Sequence, residues 1–248
     1  MTYCVGMMLN RGLVFMSDTR TNAGLDNISS FKKMVTWETP GERMITLMSA
    51  GNLATTQTVV SLLEERNKEP DDRTPAPMRA GSMFQAARIV GDTLRDVIQE
   101  QTGEGQEADG SFGSTLLLGG QIAGGPPRLF LIYPEGNFIE AGADTPYFQI
   151  GEIKYGRPIL VRAYDSDLSF AEAIKLLMVS FDSTIKANLS VGPPLDYMCY
   201  ETDSFKRGPA GRVDGHDPQY QSVAMAWGDA LKTALDGLPD VDLDRLND

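Results

Sequence analysis

Thr2 carries a hydroxyl beside the position that becomes the amino terminus once Met1 is removed, and a residue as small as threonine favours that removal. The side-chain oxygen of a free N-terminal threonine can act as a nucleophile. Its own α-amine, with an ordinary pKa near ~7.7–8.0, accepts a proton at neutral pH. A threonine at position 2 is also common in proteins without such chemistry, so this residue alone does not identify a catalyst.

Lys33 and Asp18 could tune a nucleophile of this kind. Lys33 shares one side of its predicted strand with Val35 and Trp37, which predicts an inward side chain, whereas Lys32 should point to solvent. A buried ammonium needs a carboxylate partner or a depressed pKa. Asp18 ends the predicted strand that pairs with the Thr2 strand, so it lies at the same sheet edge as Thr2 and could be that partner. The alternatives are a strand-end lysine with a solvated head and an aspartate that begins a turn.

Gly51 follows the fourth predicted strand, where its backbone N–H could stabilise an oxyanion. The same glycine could instead serve only a tight strand-to-helix turn. His216 is the sole histidine and lies in a predicted loop, so Ser-His-Asp or Cys-His chemistry is excluded unless His216 is the base. Cys4 and Cys199 lie on predicted strands as small packing residues. The sequence contains no metal-ligand spacing, and we expect no metal and no cofactor.

Hydrophobic periodicity predicts four strands, two helices, four strands, one helix, one strand and one helix, in that order. The predicted strands span 2–9, 13–17, 33–37, 44–50, 115–118, 129–133, 138–141, 147–150 and 195–202. The predicted helices begin just after Gly51 and span 82–101, 169–188 and 219–238. Segments 19–30, 69–77, 102–113 and 205–218 are predicted loops, and Ser169 with Glu172 predicts a capping box.

Strands that follow one another through short turns, without helical crossovers, favour antiparallel pairing. The helices come in positions that allow them to cover both sheets. We therefore predict an α+β fold, a four-layer α-β-β-α sandwich of two antiparallel sheets. No linker divides the chain, so a single domain over residues 1–248 is expected, with a loosely held acidic tail from about residue 239.

The charge balance excludes several classes of protein. The 248 residues include 22 Lys+Arg and 34 Asp+Glu, for a net charge of −12, which disfavours binding to nucleic acid. No segment approaches the ~20 apolar residues of a membrane span, and no basic segment precedes an apolar run as in a secretory signal. Two cysteines provide no disulfide framework. We expect a cytoplasmic protein with no nucleic-acid or membrane partner.

The spacing of four segments resembles the start of a proteasome β-type subunit. These segments are Thr2, Ser17-Asp18-Thr19-Arg20, Phe31-Lys32-Lys33-Met34 and Met48-Ser49-Ala50-Gly51. The order of predicted strands and helices matches that family over nearly the whole chain. Within the family, the sequence is most similar to the bacterial Anbu branch (ancestral β subunit). The resemblance implies the N-terminal nucleophile hydrolase fold.

The resemblance also implies a role for each matching residue. Thr2 would be the nucleophile, with its own amine as the base. Asp18 would hold Lys33, and Lys33 would tune the nucleophile. Gly51 would supply the N–H that stabilises the oxyanion. Arg20 would lie next to these residues and support them without contacting the substrate.

Two positions depart from the family pattern. The family carries an aspartate-containing segment after its third helix to support the N-terminus, whereas the corresponding stretch here begins at Asn188 and contains Ser190. A later strand usually ends with serine, where this chain has Glu152. A carboxylate near the N-terminal amine would raise the pKa of that amine. The catalytic trio is unaffected by these departures.

The implied function is that of a threonine-type peptidase acting in a self-assembled homo-oligomer, either a ring or a spiral. Its substrates would be peptides or unfolded proteins, and nothing in the sequence identifies an unfoldase partner. Two alternatives remain open. The chain could be a proteasome-like assembling subunit with little peptidase activity, or an amidase of the same fold. The presence of the Thr2, Asp18 and Lys33 trio argues against a purely architectural subunit.

Overall fold

The structure is a computed structural model that describes residues 2–22, 28–68, 74–102 and 112–242. The strands are β1 Tyr3–Leu9, β2 Gly12–Asp18, β3 Arg20–Asn22, β4 Ile28–Ser30, β5 Met34–Thr39, β6 Arg43–Gly51, β7 Ser114–Ile122, β8 Arg128–Ile132, β9 Phe138–Glu140, β10 Tyr147–Gly151, β11 Leu195–Glu201 and β12 Ala210–Val213. The helices are α1 Leu53–Lys68, α2 Met83–Thr102, α3 Arg157–Ala163, α4 Phe170–Ala187 and α5 Pro218–Asp236.

Two five-stranded antiparallel sheets form the centre of the fold. The first has the strand order β10-β1-β2-β11-β12, and the second has the order β5-β6-β7-β8-β9. Antiparallel neighbours need only short turns, which explains why β1 and β2 are joined at Asn10 and Arg11. The α+β fold class predicted from the sequence is confirmed.

Three hydrophobic clusters define the layers. One lies between the first sheet and helices α3, α4 and α5, and another lies between the second sheet and helices α1 and α2. The third fills the space between the two sheets and contains Phe15, Met48 and Leu117. A sheet covered on both faces buries nearly every residue of its central strands, as in β1 and β2. The molecule is therefore the predicted four-layer sandwich.

The sequence missed four short elements. The predicted loop 19–30 contains the small β3–β4 pair, and the predicted loop 205–218 contains β12 at the edge of the first sheet. Helix α3 was also missed because its seven residues are too few to establish a helical period. Polar or glycine-containing edge strands such as β12 lack the alternating pattern that identifies a half-buried strand.

The remaining boundaries differ from prediction by a few residues. The capping box of Ser169 and Glu172 is present, and α4 begins directly after Ser169. Most of the predicted loop 102–113 and part of the acidic tail lie outside the described residues, while residues 239–242 are exposed. Among the helices in the described ranges, none has the length and apolar character needed to cross a bilayer.

Candidate active site

Thr2 lies directly before β1 and is held by its own backbone. Its carbonyl oxygen accepts the N–H of Glu152 at 2.7 Å, which extends the pairing of β1 with β10. Gly151 permits this approach: its φ is +83°, and a Cβ there would lie 1.9 Å from the Thr2 oxygen. The Thr2 side chain is 9% exposed and lines a cavity of about 520 Å³ together with Lys33 and Gly51.

Asp18 and Lys33 form a buried ion pair at this cavity. The Lys33 Nζ lies 2.7 Å from Asp18 Oδ1, and the side chains are 6% and 0% exposed. The same carboxylate oxygen accepts the backbone N–H of Tyr3 at 3.0 Å, one residue after Thr2. Lys33 also donates to the Arg20 carbonyl at 2.6 Å. The structure thus joins the start of β1 to the end of β2 and the start of β5.

Two opposing effects act on the Asp18 carboxyl. Burial raises its pKa above the ordinary value, while the Lys33 ammonium and the Tyr3 N–H act to lower it. The net direction is a raised pKa, because removal from water outweighs the partners. An ammonium fixed in this position creates a positive potential at the cavity wall. That potential would stabilise an alkoxide or oxyanion and favour a neutral amine nearby.

Gly51 ends β6 at the cavity, just before α1. Its φ of +123° lies in a region that favours glycine, and a Cβ would meet the Gly113 oxygen at 2.4 Å. The next residue, Asn52, accepts the Thr55 N–H on its side-chain oxygen at 3.1 Å, as an N-cap does. Both Gly51 and Asn52 line the cavity. The amino end of α1, with its partial positive charge, therefore borders the space beside Thr2.

The predicted supporting residues meet at the 188–190 segment, and Asn188 links this segment to Glu152. Asn188 Nδ2 donates to Glu152 Oε2 at 2.9 Å, and the Ser190 backbone N–H donates to Asn188 Oδ1 at 3.0 Å. Arg20 Nη1 donates to the Leu189 carbonyl at 2.9 Å. An amide at position 188 suits a carboxylate at position 152, since an aspartate there would repel Glu152. The two departures from the family pattern are therefore chemically complementary.

A hydrogen-bonded network around the Tyr3 hydroxyl was not predicted from the sequence. The Tyr3 hydroxyl lies 2.8 Å from Ser180 Oγ and accepts the Gln149 side-chain N–H at 2.6 Å. Ser180 in turn donates to the Gly156 carbonyl at 3.1 Å. This network anchors the residue that follows Thr2 against α4 and α3. A tyrosine on a buried strand gives no sequence signal for such a role.

The other reactive side chains lie elsewhere. Cys4 packs between the sheets, and burial raises the pKa of its thiol; burial also raises the pKa of Cys199 to about 12. Both cysteines are therefore protonated thiols at neutral pH. His216 is exposed in the turn before α5. Within the described part of the chain, no group of three or more His, Cys, Asp or Glu side chains could hold a metal ion.

Comparison with known proteins identifies the family. The family model described as proteasome subunit matches residues 2–193. Anbu from Yersinia bercovieri is 47% identical, covering 97% of this chain and 100% of that chain with a TM-score of 0.90. Anbu from Hyphomicrobium sp. strain MC1 is 48% identical, covering 97% and 100% with a TM-score of 0.89.

A third solved structure, the helical assembly of the Anbu complex from Pseudomonas aeruginosa, is 42% identical and covers 98% of this chain and 99% of that chain, with a TM-score of 0.89. No match was found among curated proteins. The family model spans more than half of the chain, and the similar structures span nearly all of it. On this evidence the chain belongs to the proteasome subunit family.

Proposed function

We propose that this protein is a threonine-type peptidase in which Thr2, after removal of Met1, is the nucleophile. Thr2 Oγ attacks the carbonyl carbon of a peptide bond, and the α-amine of Thr2 accepts the hydroxyl proton. The carbonyl oxygen becomes an oxyanion, which the Gly51 N–H and the positive amino end of α1 stabilise. Lys33, fixed by Asp18, favours the unprotonated amine and the developing negative charge.

The tetrahedral intermediate collapses with cleavage of the C–N bond. The protonated α-amine gives its proton to the departing nitrogen, and an ester forms between Thr2 Oγ and the acyl part of the substrate. Water then attacks this ester while the amine accepts a proton from it. The carboxylic acid product is released, and Thr2 regains its hydroxyl proton. No metal or cofactor is required for these steps.

The buried Asp18–Lys33 pair beside Thr2 carries this proposal. A paired charge of this kind is expensive to bury, and removal of both charges from a core is often neutral or stabilising. A role in fold stability alone therefore gives little reason for the pair. Its position on the cavity that Thr2 lines supports a role in tuning a nucleophile.

Replacement of Thr2 tests the mechanism directly. In Thr2→Ala, peptide turnover should fall to background because the nucleophilic oxygen is gone, while circular dichroism and the melting temperature remain close to wild type. Thr2→Ser keeps the oxygen and should retain measurable turnover. An electrophilic inhibitor selective for N-terminal threonine should label Thr2 covalently, as detected by mass spectrometry of protein in which Met1 removal has been verified. Full activity in Thr2→Ala would exclude the mechanism.

We further propose that the protein acts as a homo-oligomer in the cytoplasm. Helix α5 supports assembly because only Tyr220 among its residues is buried, while Met225, Leu231 and Leu235 are at least half exposed. The Pseudomonas aeruginosa relative is described as a helical assembly, which favours a spiral over a closed ring. The same exposed helix favours the second candidate function, an assembling subunit with little hydrolysis. Absence of inhibitor labelling at an unblocked Thr2 would select that candidate.

A further inference from the structure

Glu152 lies directly across from Thr2 in the first sheet. Strand β10 pairs with β1 so that Gly151 is opposite Tyr3, and the next pair in this register is Glu152 with Thr2. The Glu152 N–H donates to the Thr2 carbonyl at 2.7 Å, so this pair occupies a hydrogen-bonded position. At such a position both residues turn their backbone nitrogen and oxygen toward each other. The Thr2 nitrogen therefore faces Glu152.

The Tyr3 N–H supports this orientation of the chain. Successive residues of a strand turn their backbone groups to opposite sides, and the Tyr3 N–H donates to Asp18 at 3.0 Å, on the side of β1 away from β10. The Thr2 side chain and Lys33 line the cavity of about 520 Å³, whereas Glu152 does not line it. The hydroxyl and the amine of Thr2 thus have different charged neighbours.

Asn188 holds the Glu152 side chain from the end of α4. Its Nδ2 donates to Glu152 Oε2 at 2.9 Å, and its Oδ1 accepts the Ser190 N–H at 3.0 Å. Asn188 is also the C-cap of α4, because its backbone N–H donates to the Thr184 carbonyl at 2.8 Å. Both the backbone and the side chain of Asn188 are therefore fixed. The half-buried carboxylate that it contacts is held in place by a rigid neighbour.

The carboxyl end of α4 is an unfavourable neighbour for a carboxylate. This end of a helix has a partial negative charge, which favours cations. Among the described residues, Glu152 has no lysine or arginine within ion-pair distance. The contact from Asn188 comes from a neutral amide. A cation beside Glu152 would offset both the helix end and the partial burial, and the α-ammonium of Thr2 lies on the facing residue.

Other charged groups on the elements around this pair are engaged or solvated. Two lysines form ion pairs with aspartates at 2.7 and 2.8 Å, and one arginine donates to a backbone carbonyl at 2.9 Å. Two further cations follow β10 and are exposed to solvent. In the order of this description, the groups are Lys33 with Asp18, Lys186 with Asp182, Arg20, and then Lys154 and Arg157.

We propose that Glu152, oriented by Asn188, is a positioning residue that binds the α-ammonium of Thr2 in the resting protein. An ammonium that a carboxylate holds gives up its proton less readily. The amine must lose this proton to water before it can accept the proton of the Thr2 hydroxyl. Glu152 therefore shifts the working range toward alkaline pH, and Lys33 opposes it from the cavity side. The inference rests on the proposed peptidase function and concerns the control of that same site by pH.

Competitive acetylation with trace acetic anhydride measures the proton affinity of the Thr2 amine without any hydrolysis. The full-length protein, with Met1 removal verified, is labelled between pH 5 and 10, and the acetylated N-terminal peptide is quantified by mass spectrometry. Glu152→Gln keeps the length of the side chain and an oxygen that can accept from Asn188. The acid dissociation constant of the amine should rise roughly three- to tenfold in this variant. Glu152→Asp keeps the charge and should remain closer to wild type.

Glu201→Gln is the matched control. Glu201 is exposed at the end of β11 and pairs with Gly12, at the opposite end of β2 from Asp18, so the substitution removes one negative charge far from Thr2. It should leave the titration of the amine unchanged. Identical titrations in wild type and Glu152→Gln would overturn the proposal, as would equal changes in Glu152→Gln and Glu201→Gln. Glu152→Ser, a second neutral variant, should change the amine in the same direction as Glu152→Gln.

The pH profile of peptide hydrolysis separates this inference from the proposed mechanism. In Glu152→Gln, turnover at pH 6 relative to pH 9 should rise by the same factor as the dissociation constant. An altered amine with an unaltered profile would refute the amine as the base and leave the Glu152 contact standing. An altered amine in a protein that hydrolyses no peptide would do the same. An unaltered amine, with turnover that disappears in Thr2→Ala, would refute this inference and leave the threonine mechanism standing.

Discussion

Two regions of this molecule place charged and apolar side chains in opposite environments. At the Thr2 end of the sandwich, charged groups are buried and paired, with Asp18 0% exposed against Lys33. On α5, apolar side chains face outward, with Met225 66% and Leu235 68% exposed. Neither arrangement is explained by the stability of an isolated chain, because the first removes charges from water and the second leaves apolar surface in it. The first makes sense as a chemical site and the second as a contact surface.

The neighbouring helices α4 and α5 sharpen this contrast. Nine residues of α4 are buried, including Leu177 and Phe181, whereas Tyr220 alone is buried on α5. The two helices have similar lengths and each has an apolar face, although α4 is the more hydrophobic of the two. The apolar side chains of α4 pack inside its own chain, whereas several of those on α5 face outward. Disrupting the buried Asp18–Lys33 pair and disrupting the exposed apolar face of α5 should have different consequences.

The largest effect is expected from one-sided removal of the buried pair. Asp18→Asn leaves a buried ammonium without its counter-ion and should lower the free energy of unfolding by about 3–5 kcal/mol. Lys33→Met leaves the carboxylate unpaired and should cost a similar amount. The double variant removes both charges and should recover much of the stability, but no peptide turnover. Urea unfolding with parallel activity assays measures both quantities. A single variant with wild-type stability would refute the claim that the pair is tightly coupled.

The next effect concerns pH. Burial raises the pKa of Asp18, so its carboxylate takes up a proton at a higher pH than an ordinary aspartate does. Activity that requires the charged pair should therefore decline on the acidic side above the usual aspartate range near ~3.9. The contribution of Asp18 to the free energy of unfolding changes in the opposite direction. Between the ordinary pKa of Asp18 in the unfolded chain and its higher pKa in the folded protein, the folded state holds more protons. This contribution therefore falls as pH rises. Kinetic and unfolding profiles from pH 3 to 8 measure both trends.

Asp18→Asn is the control for the stability profile, since it removes the titrating carboxyl. The slope of stability against pH that arises from this group should vanish in the variant. A slope unchanged by the substitution would assign the effect to other carboxylates and remove the pH argument for the site.

The sequence was sufficient for the fold class and for the contact between Asp18 and Lys33. Alternation along the predicted strands placed Asp18 at the end of one strand and turned Lys33 inward, which indicated the pair, although β2 and β5 lie in different sheets and the contact crosses between them. The contact of Arg20 with the 188–190 segment was harder to predict. Arg20 donates to the backbone carbonyl of Leu189, 169 residues away. Because every residue has a backbone carbonyl, the sequence does not indicate which one accepts this hydrogen bond.

The cavity of about 690 Å³ beside β5 was likewise not predictable from sequence patterns. Its walls come from β5, β11 and β12, and β12 was itself missed because its four residues show no alternation. Arg207 lies in a segment predicted only as a loop. Cavities between two sheets depend on how the sheets are stacked, and periodicity describes each strand separately. The roles of Thr2 and Gly51 in catalysis remain predictions.

A smaller effect on folding, with a distinct readout, is expected on α5. Met225→Glu places a charge on the exposed apolar surface and should change the unfolding free energy by no more than about 0.5 kcal/mol. If α5 mediates assembly, the same change should lower the oligomeric mass in native mass spectrometry. Gln99→Glu, which adds a charge at an exposed position on α2, should leave the mass unchanged. An unaffected mass in Met225→Glu would remove this face of α5 from the assembly.

The smallest effect is expected at an ion pair in water. Lys232 Nζ lies 3.6 Å from Asp229 Oδ1, and the side chains are 80% and 79% exposed. Solvent and salt screen such a pair, so Lys232→Gln should leave the melting temperature and peptide turnover unchanged within error. Lys232→Gln removes one positive charge from the protein, as Lys33→Met does. Equal losses in both variants would mean that charge count, and not burial at the Thr2 cavity, controls the response, and the distinction between the two regions would then fail.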